Sequence, residues 1–200
     1  IINSSLGYTT FDTIIDDHTY EDMDGNTTVI TKAADRAAAV GILVCNSAGN
    51  EGDGSWYYIG APADGDSVFT IGAVDINGNS VSFSSHGPTF DGRLKPNIVG
   101  QGAGTGVVTS NGTVAYGNGT SYSSPLIAGA CASFMSAFPE LSNMEVMDII
   151  QSTASQADNP DNSMGYGIPN FAKAYMELKG IDLSTENIIS ILPNPASDEV

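Results

Sequence analysis

Between Ser123 and Phe138 the chain reads SSPLIAGACASFMSAF, without a single charged side chain. As a helix this segment is apolar nearly all round, so it has no face to offer water and belongs at the centre of a layered body. It cannot be a membrane span, because no run of about 18 apolar residues exists anywhere in the chain. The layers are legible upstream. IINSSLG at 1–7 has the look of a strand, and TVITKAADRAAAVG repeats its apolar residues every three or four positions before stopping at Gly41. GILVCNSAGNEG follows, an apolar run of strand length that closes in a Gly-Asn turn. A helix between two apolar strands is the βαβ pattern, which implies an α/β domain with a mostly parallel sheet covered on both faces.

The remaining segments extend that reading. SVFTIGAVD and SVSFSS are predicted as short strands joined by the hairpin-type turn INGN, and RLKPNIVGQG and GTVAYGNG as two further extended pieces. SNMEVMDIIQSTAS is an amphipathic helix in which Ser142 and Glu145 form a capping box. GYGIPNFAKAYMELKG gives a last helix with Pro169 near its start. At 200 residues, 41% of them hydrophobic, the chain can bury one core. Its charge of −17, from 23 acidic against 6 basic side chains, repels phosphate backbones and excludes nucleic acid as a partner. The same field favours cations, calcium first among them. Cys45 and Cys131 lie in apolar surroundings, as buried thiols or as one strand-to-helix disulfide.

Two short stretches carry chemistry. In NGTSYSSP, Ser121 stands at the head of the apolar helix, where free backbone N–H groups and the positive end of the helix dipole lie beside it. It is either a helix cap or a nucleophile whose neighbouring amides would hold an oxyanion. In NSAGNEG, Asn50 sits on a glycine-flanked turn at the carboxyl end of a parallel strand, where α/β sheets build their sites. It is either an ordinary turn residue or the donor of a second hydrogen bond to that oxyanion.

Taken together the segments resemble the subtilisin-like serine proteases, the subtilases. GTSYSSPLIAGA is similar to the family's nucleophile signature, and NSAGNEG to the segment with its oxyanion asparagine. INSSLGY resembles the strand that pairs with bound peptide. GAPADGDSVFTIGAVD, VSFSSHGP, RLKPNIVGQG and GYGIPNFAKAY complete the family's order over roughly residues 1–178. The resemblance implies a three-layer subtilisin-like fold, Pro62 where a cis proline is frequent, Ser121 as nucleophile and Asn50 as oxyanion donor. It also implies that Ser5, Leu6 and Gly7 line the cleft, while Ser47, Ala48 and Gly49 wall a primary pocket wide enough for a sizeable side chain. Tyr122 stands where methionine is common, adding bulk on the leaving-group side.

The family's triad runs Asp, His, Ser along the chain, and the first two would precede Ile1. The expectation is therefore the C-terminal part of a catalytic domain over 1–180, inactive by itself because a serine without a base is a poor nucleophile. Neither His18 nor His86 matches a catalytic position. A Gly-x-Ser-x-Gly elbow is absent around Ser121, which disfavours a lipase or esterase. The competing reading is a non-catalytic subtilase-like binding module. In DDHTYEDMDGNT, the residues Asp22, Asp24 and Asn26 partly resemble a calcium loop, with a solvated acidic loop as the alternative. The final stretch 181–200 contains ILPNPASDEV, which resembles the start of the C-terminal sorting domain of secreted Bacteroidetes proteins, or is a Pro-rich linker. The function expected is a secreted or cell-surface, monomeric serine endopeptidase acting on peptides or proteins. It needs no cofactor for catalysis, and structural calcium is an added expectation.

Overall fold

A computed structural model describes residues 1–181. Four parallel strands form the main sheet in chain order: β1 (Ile2–Ser4), β2 (Val44–Ser47), β3 (Val68–Val74) and β4 (Ile98–Gln101). Register is set by Asn3 opposite Cys45, Cys45 opposite Phe69, and Ile71 opposite Ile98. The alternation along β2 and β3 explains the layering. Val44 and Val68 face helix α1 (Val29–Ala39) through Ala38, whereas Cys45, Phe69 and Ile71 face helix α2 (Thr120–Ala137). Strands buried on both sides read as continuous apolar runs, and all seven residues of β3 are buried.

Helices α3 (Asn143–Ser152) and α4 (Phe171–Leu178) close the α2 side through Val146, Ile150 and Ala174. The capping box at Ser142 and Glu145 forms as the sequence predicts. Asn170 caps α4, which leaves Pro169 just outside the helix. Thr28 caps α1, and Gly41 follows it at φ +90°, a conformation glycine adopts freely.

Two expectations are corrected and a third is completed. SVSFSS forms no strand. The Asp75–Asn79 turn closes, yet only one isolated bridge, Val74 to Ser80, pairs across it. The reason is that Ser84 and Ser85 are taken into the interior, where Ser84 Oγ accepts from Ala73 N at 3.0 Å and Ser85 Oγ from Glu51 N at 3.0 Å. GTVAYGNG is extended as expected, and its partner is a strand the sequence does not mark: β5 (Thr105–Val108) and β6 (Val114–Gly117) make a separate antiparallel hairpin. Finally, α2 is not enclosed on all sides. Thr120, Ser123, Ser124, Ile127, Ala128, Cys131 and Phe134 are buried, but Leu126 is 52% exposed, and Pro125 and Gly129 share its open face.

Candidate active site

α2 begins earlier than the proline suggests. Gly119 is its N-cap at φ +153°, Thr120 and Ser121 form its first turn, and Pro125 lies inside the helix. A proline there has no N–H for the carbonyl four residues back, which is that of Ser121. Ser5 supplies the missing donor, its hydroxyl reaching Ser121 O at 3.2 Å. In return Ser121 Oγ donates to Ser5 O at 3.4 Å. The proline thus frees one helix carbonyl, and that carbonyl fastens the segment after β1 beside the helix head.

Asn50 is brought to the same place from β2. Its Oδ1 accepts from Thr120 N at 2.8 Å and from Thr120 Oγ1 at 3.1 Å. With the carbonyl end of the amide so engaged, the Nδ2 hydrogens are the ones left to donate elsewhere. Thr120 also accepts from Gly49 N at 3.2 Å, so one buried threonine ties the turn to the helix. Gly49 sits at φ +109°, and an added Cβ would fall 2.7 Å from Ser85 Oγ. This fold therefore requires glycine at position 49.

Ser121, Asn50, Ser5, Gly7, Ser47, Ala48 and Gly49 all line one cavity of about 170 Å³. Leu6 does not. It is 58% exposed, and its carbonyl accepts from the buried Asn46 amide at 3.2 Å, which holds this segment against β2. Sequence reasoning missed Thr9, Glu51, Trp56, Gly60 and Ser85, which complete the lining. A clue was available in Trp56, the one tryptophan of the chain, placed in a Gly- and Ser-rich loop. Nearby, the Ala61–Pro62 peptide is cis. Tyr122 packs its ring against Gly117 of β6, where an added Cβ would lie 2.7 Å from the ring.

Neither histidine is a hydrogen-bond partner of Ser121. His86 stacks on Tyr57 with ring centroids 4.6 Å apart, and His18 meets the edge of Phe11 at 5.3 Å. The acidic loop does not gather its carboxylates. Asp22 accepts from Thr19 N at 2.7 Å, Asp24 from Asn26 N at 2.8 Å and Thr27 N at 2.7 Å. Burial works against the Asp24 charge, but these N–H donors hold its carboxyl below the usual range. Among the described residues no group of three or more His, Cys, Asp or Glu side chains is placed to hold a metal ion. Both cysteines are buried free thiols; contact with Cys45, together with burial, pushes the Cys131 thiol up.

Comparison with known proteins agrees with the resemblance. The family described as "Subtilase family" matches residues 1–167. Subtilisin DY of Bacillus licheniformis is 40% identical over 141 residues, covering 70% of this chain and 48% of that protein. Serine protease AprX of Bacillus subtilis (strain 168) is 30% identical over 194 residues, covering 85% of this chain and 41% of that protein. The chain thus spans about half the length, or less, of these curated relatives. Among solved structures, the prenylagaramide maturation protease PagA matches at TM-score 0.68 and 22% identity, over 90% of this chain and 62% of that one. The self-cleaved protease domain of PatA matches at TM-score 0.62 and 23% identity, over 74% and 54%. These two likenesses establish the fold.

Proposed function

Since the chain belongs to the subtilase family, we propose that the protein is a serine endopeptidase in which Ser121 attacks the scissile carbonyl and Asn50 stabilises the resulting oxyanion. The observation that carries this reading is the pair of hydrogen bonds that Thr120 N and Thr120 Oγ1 donate to Asn50 Oδ1, which leaves the amide hydrogens beside Ser121 free for a ligand. In the reaction, a bond forms between Ser121 Oγ and the carbonyl carbon while the hydroxyl proton passes to a histidine base. The tetrahedral oxyanion is held by Asn50 Nδ2 and by the Ser121 N–H at the start of α2. The proton then goes to the departing amine, the C–N bond breaks, and water releases the acyl group by the same steps.

The histidine, and the aspartate that orients it, belong to an upstream segment in this proposal. The surfaces such a segment would cover are present: the free edge of β1, where Ile1 and Ile2 are 48% and 43% exposed, and the open face of α2 around Leu126. We further infer an exported, monomeric enzyme. Support for export is the ILPNPASDEV tail at 191–200, which lies outside the described residues. No described helix is long and apolar enough to cross a membrane.

The test is Ser121→Ala in the full-length chain, assayed on an unstructured protein substrate. Hydrolysis should fall to background, a loss approaching the roughly 10⁶-fold known for removing a subtilisin's own nucleophile, with the melting temperature unchanged. Retained hydrolysis would remove Ser121 from the chemistry. A full-length wild type that hydrolyses nothing would make the binding-module reading correct.

A further inference from the structure

β2 carries a residue that a strand buried on both faces does not call for. Such strands read as apolar runs, and asparagine is depleted in them. Yet Asn46 lies fully buried in β2, opposite Ser4 of β1 on one side and Thr70 of β3 on the other. Its amide is only half used. Nδ2 donates to Leu6 O at 3.2 Å and to Ser47 O at 2.8 Å, whereas Oδ1 is buried without a hydrogen-bond partner among the described residues. The two carbonyls fix which way the amide lies, since the reverse would set oxygen against oxygen. An orphaned acceptor costs stability. Asn46 therefore works against the sheet it sits in, and such local conflicts gather at functional positions.

The bond to Leu6 is what the residue contributes. Pairing of β1 with β2 ends at Ser4, and the next backbone tie is Tyr8 N to Ala61 O at 2.8 Å. Between these points side chains hold the chain: Ser5 by its exchange with Ser121, and Leu6 by Asn46. A peptide unit is planar and trans, so the Leu6 C=O and the Gly7 N–H point in opposite directions. Fixing the carbonyl toward β2 aims the Gly7 N–H away from β2, on the side where β1 is the edge of the sheet. Gly7 is exposed and lines the cavity with Ser121, and nothing lies within 4 Å of where its Cβ would be. Among the described residues neither its N–H nor its C=O has a partner. Unpaired backbone at a sheet edge is a template onto which an extended peptide adds as a strand.

We propose that Asn46 is a positioning residue of this protease: by drawing the Leu6 carbonyl to β2 it orients the Gly7 backbone for pairing with a substrate several residues long. Asn46 touches neither the substrate nor the reacting atoms. The proposal rests on the assignment of Ser121 for the place of the cleft, and its binding component does not depend on turnover.

Two experiments on the full-length chain test it. The first compares kcat/KM for two acetylated methyl esters, one of tetra-alanine and one of a single alanine. They share the reacting bond and differ in the backbone available to Gly7. Asn46→Ala should lower the ratio of the longer to the shorter by about tenfold, near the net worth of one hydrogen bond. Asn46→Leu, which fills the site and so guards against a variant that fails to fold, should lower it equally. An unchanged ratio overturns the proposal, and so does an equal fall for both esters, which is what general damage to the fold produces. The second experiment measures calorimetric binding of acetyl-tetra-alanine amide to Ser121→Ala, which cannot acylate, with and without Asn46→Ala. The added substitution should weaken binding by about tenfold. Equal affinities, or no binding to Ser121→Ala itself, overturn the proposal. Weakened binding beside a wild type that hydrolyses neither ester would remove the proposed chemistry of Ser121 and leave the role of Asn46 standing.

Discussion

Two loops leave the carboxyl ends of neighbouring parallel strands, and they turn out differently. The loop after β2 runs Ala48-Gly49-Asn50 and gives its backbone donors to distant elements: Ala48 N to Ile71 O, Gly49 N to Thr120 Oγ1, Glu51 N to Ser85 Oγ, Gly52 N to Phe83 O. The loop after β1, from Tyr8 to Thr28, is richer in ionisable groups, yet it spends them on itself. Asp17 accepts from Phe11 N at 2.6 Å, Asp22 from Thr19 N, and Asp24 from Asn26 and Thr27. In the first loop an amide is left over; in the second, Asp17, Asp22 and Asp24 are taken up by turns. A site needs polar groups that the fold fixes without using up, and only the shorter loop has one beside Ser121.

The largest effect that would break this contrast belongs to Asn50. In the full-length enzyme, Asn50→Ala should lower kcat by about 10²–10³, the range known for losing the oxyanion donor of a subtilisin, with KM nearly constant. Unchanged turnover would make Asn50 a turn residue like those of the acidic loop. The converse change is Asp64→Ala. Asp64 is fully buried and anchors the acidic loop, accepting from Gly25 N at 2.9 Å and Thr31 Oγ1 at 2.6 Å. Its loss should cost about 1–3 kcal/mol of unfolding free energy in urea by leaving those donors unpaired, and should leave kcat of the folded enzyme close to wild type. A collapse of kcat with no loss of stability would mean that the acidic loop is part of the catalytic apparatus.

Thr120→Val sharpens the comparison at smaller scale. The N–H bond to Asn50 survives, but the hydroxyl bond at 3.1 Å is lost, and Gly49 N loses its acceptor. A loss of kcat of about tenfold is expected, near the net worth of one hydrogen bond, against no change if the amide is oriented by other contacts.

The last effect is a slope in pH, and it comes from Lys95. Its ammonium sits beneath the loop leading into β3, donating to Gly65 O at 2.9 Å, Val68 O at 2.7 Å, Thr70 Oγ1 at 2.9 Å and Asn97 Oδ1 at 3.1 Å. Burial pushes its pKa down to about 7, the Arg93 charge adds to this, and Asp64 and Asp35 oppose it. Between pH 7 and the ordinary value of 10.5 the unfolded chain carries a proton that the folded chain lacks. Stability from this group therefore rises with pH across that window and is lost as pH falls through 7, by at most about 1.4 kcal/mol per pH unit. Melting curves from pH 6 to 10 should show the slope in wild type and lack it in Lys95→Met. Parallel profiles would mean that the four acceptors keep the amine charged throughout.

Local pattern alone accounts for several elements. Alternation and apolar runs gave β2 and β3, the spacing of alanines gave α1, and Ser142 with Glu145 gave the start of α3, because each of these is decided within a few residues. The association of Ser121 with Asn50 was legible only through the resemblance of both segments to the subtilases, because each residue alone also reads as an ordinary cap or turn residue. Tertiary structure decided the rest. SVSFSS has strand propensity, but its serines are more stabilising as acceptors for Ala73 N and Glu51 N in the interior than as one arm of a hairpin. An apolar helix cannot state which of its faces has a partner, so the exposure of Leu126 was not readable. Nor could the order of residues reveal that Pro125 frees the Ser121 carbonyl for Ser5, or that Trp56 lines the same cavity as Ser121. The Ser5 to Ser121 contact joins residues separated by 116 positions. Hydrogen bonds of that reach are set by where the elements pack, which no local run of residues encodes.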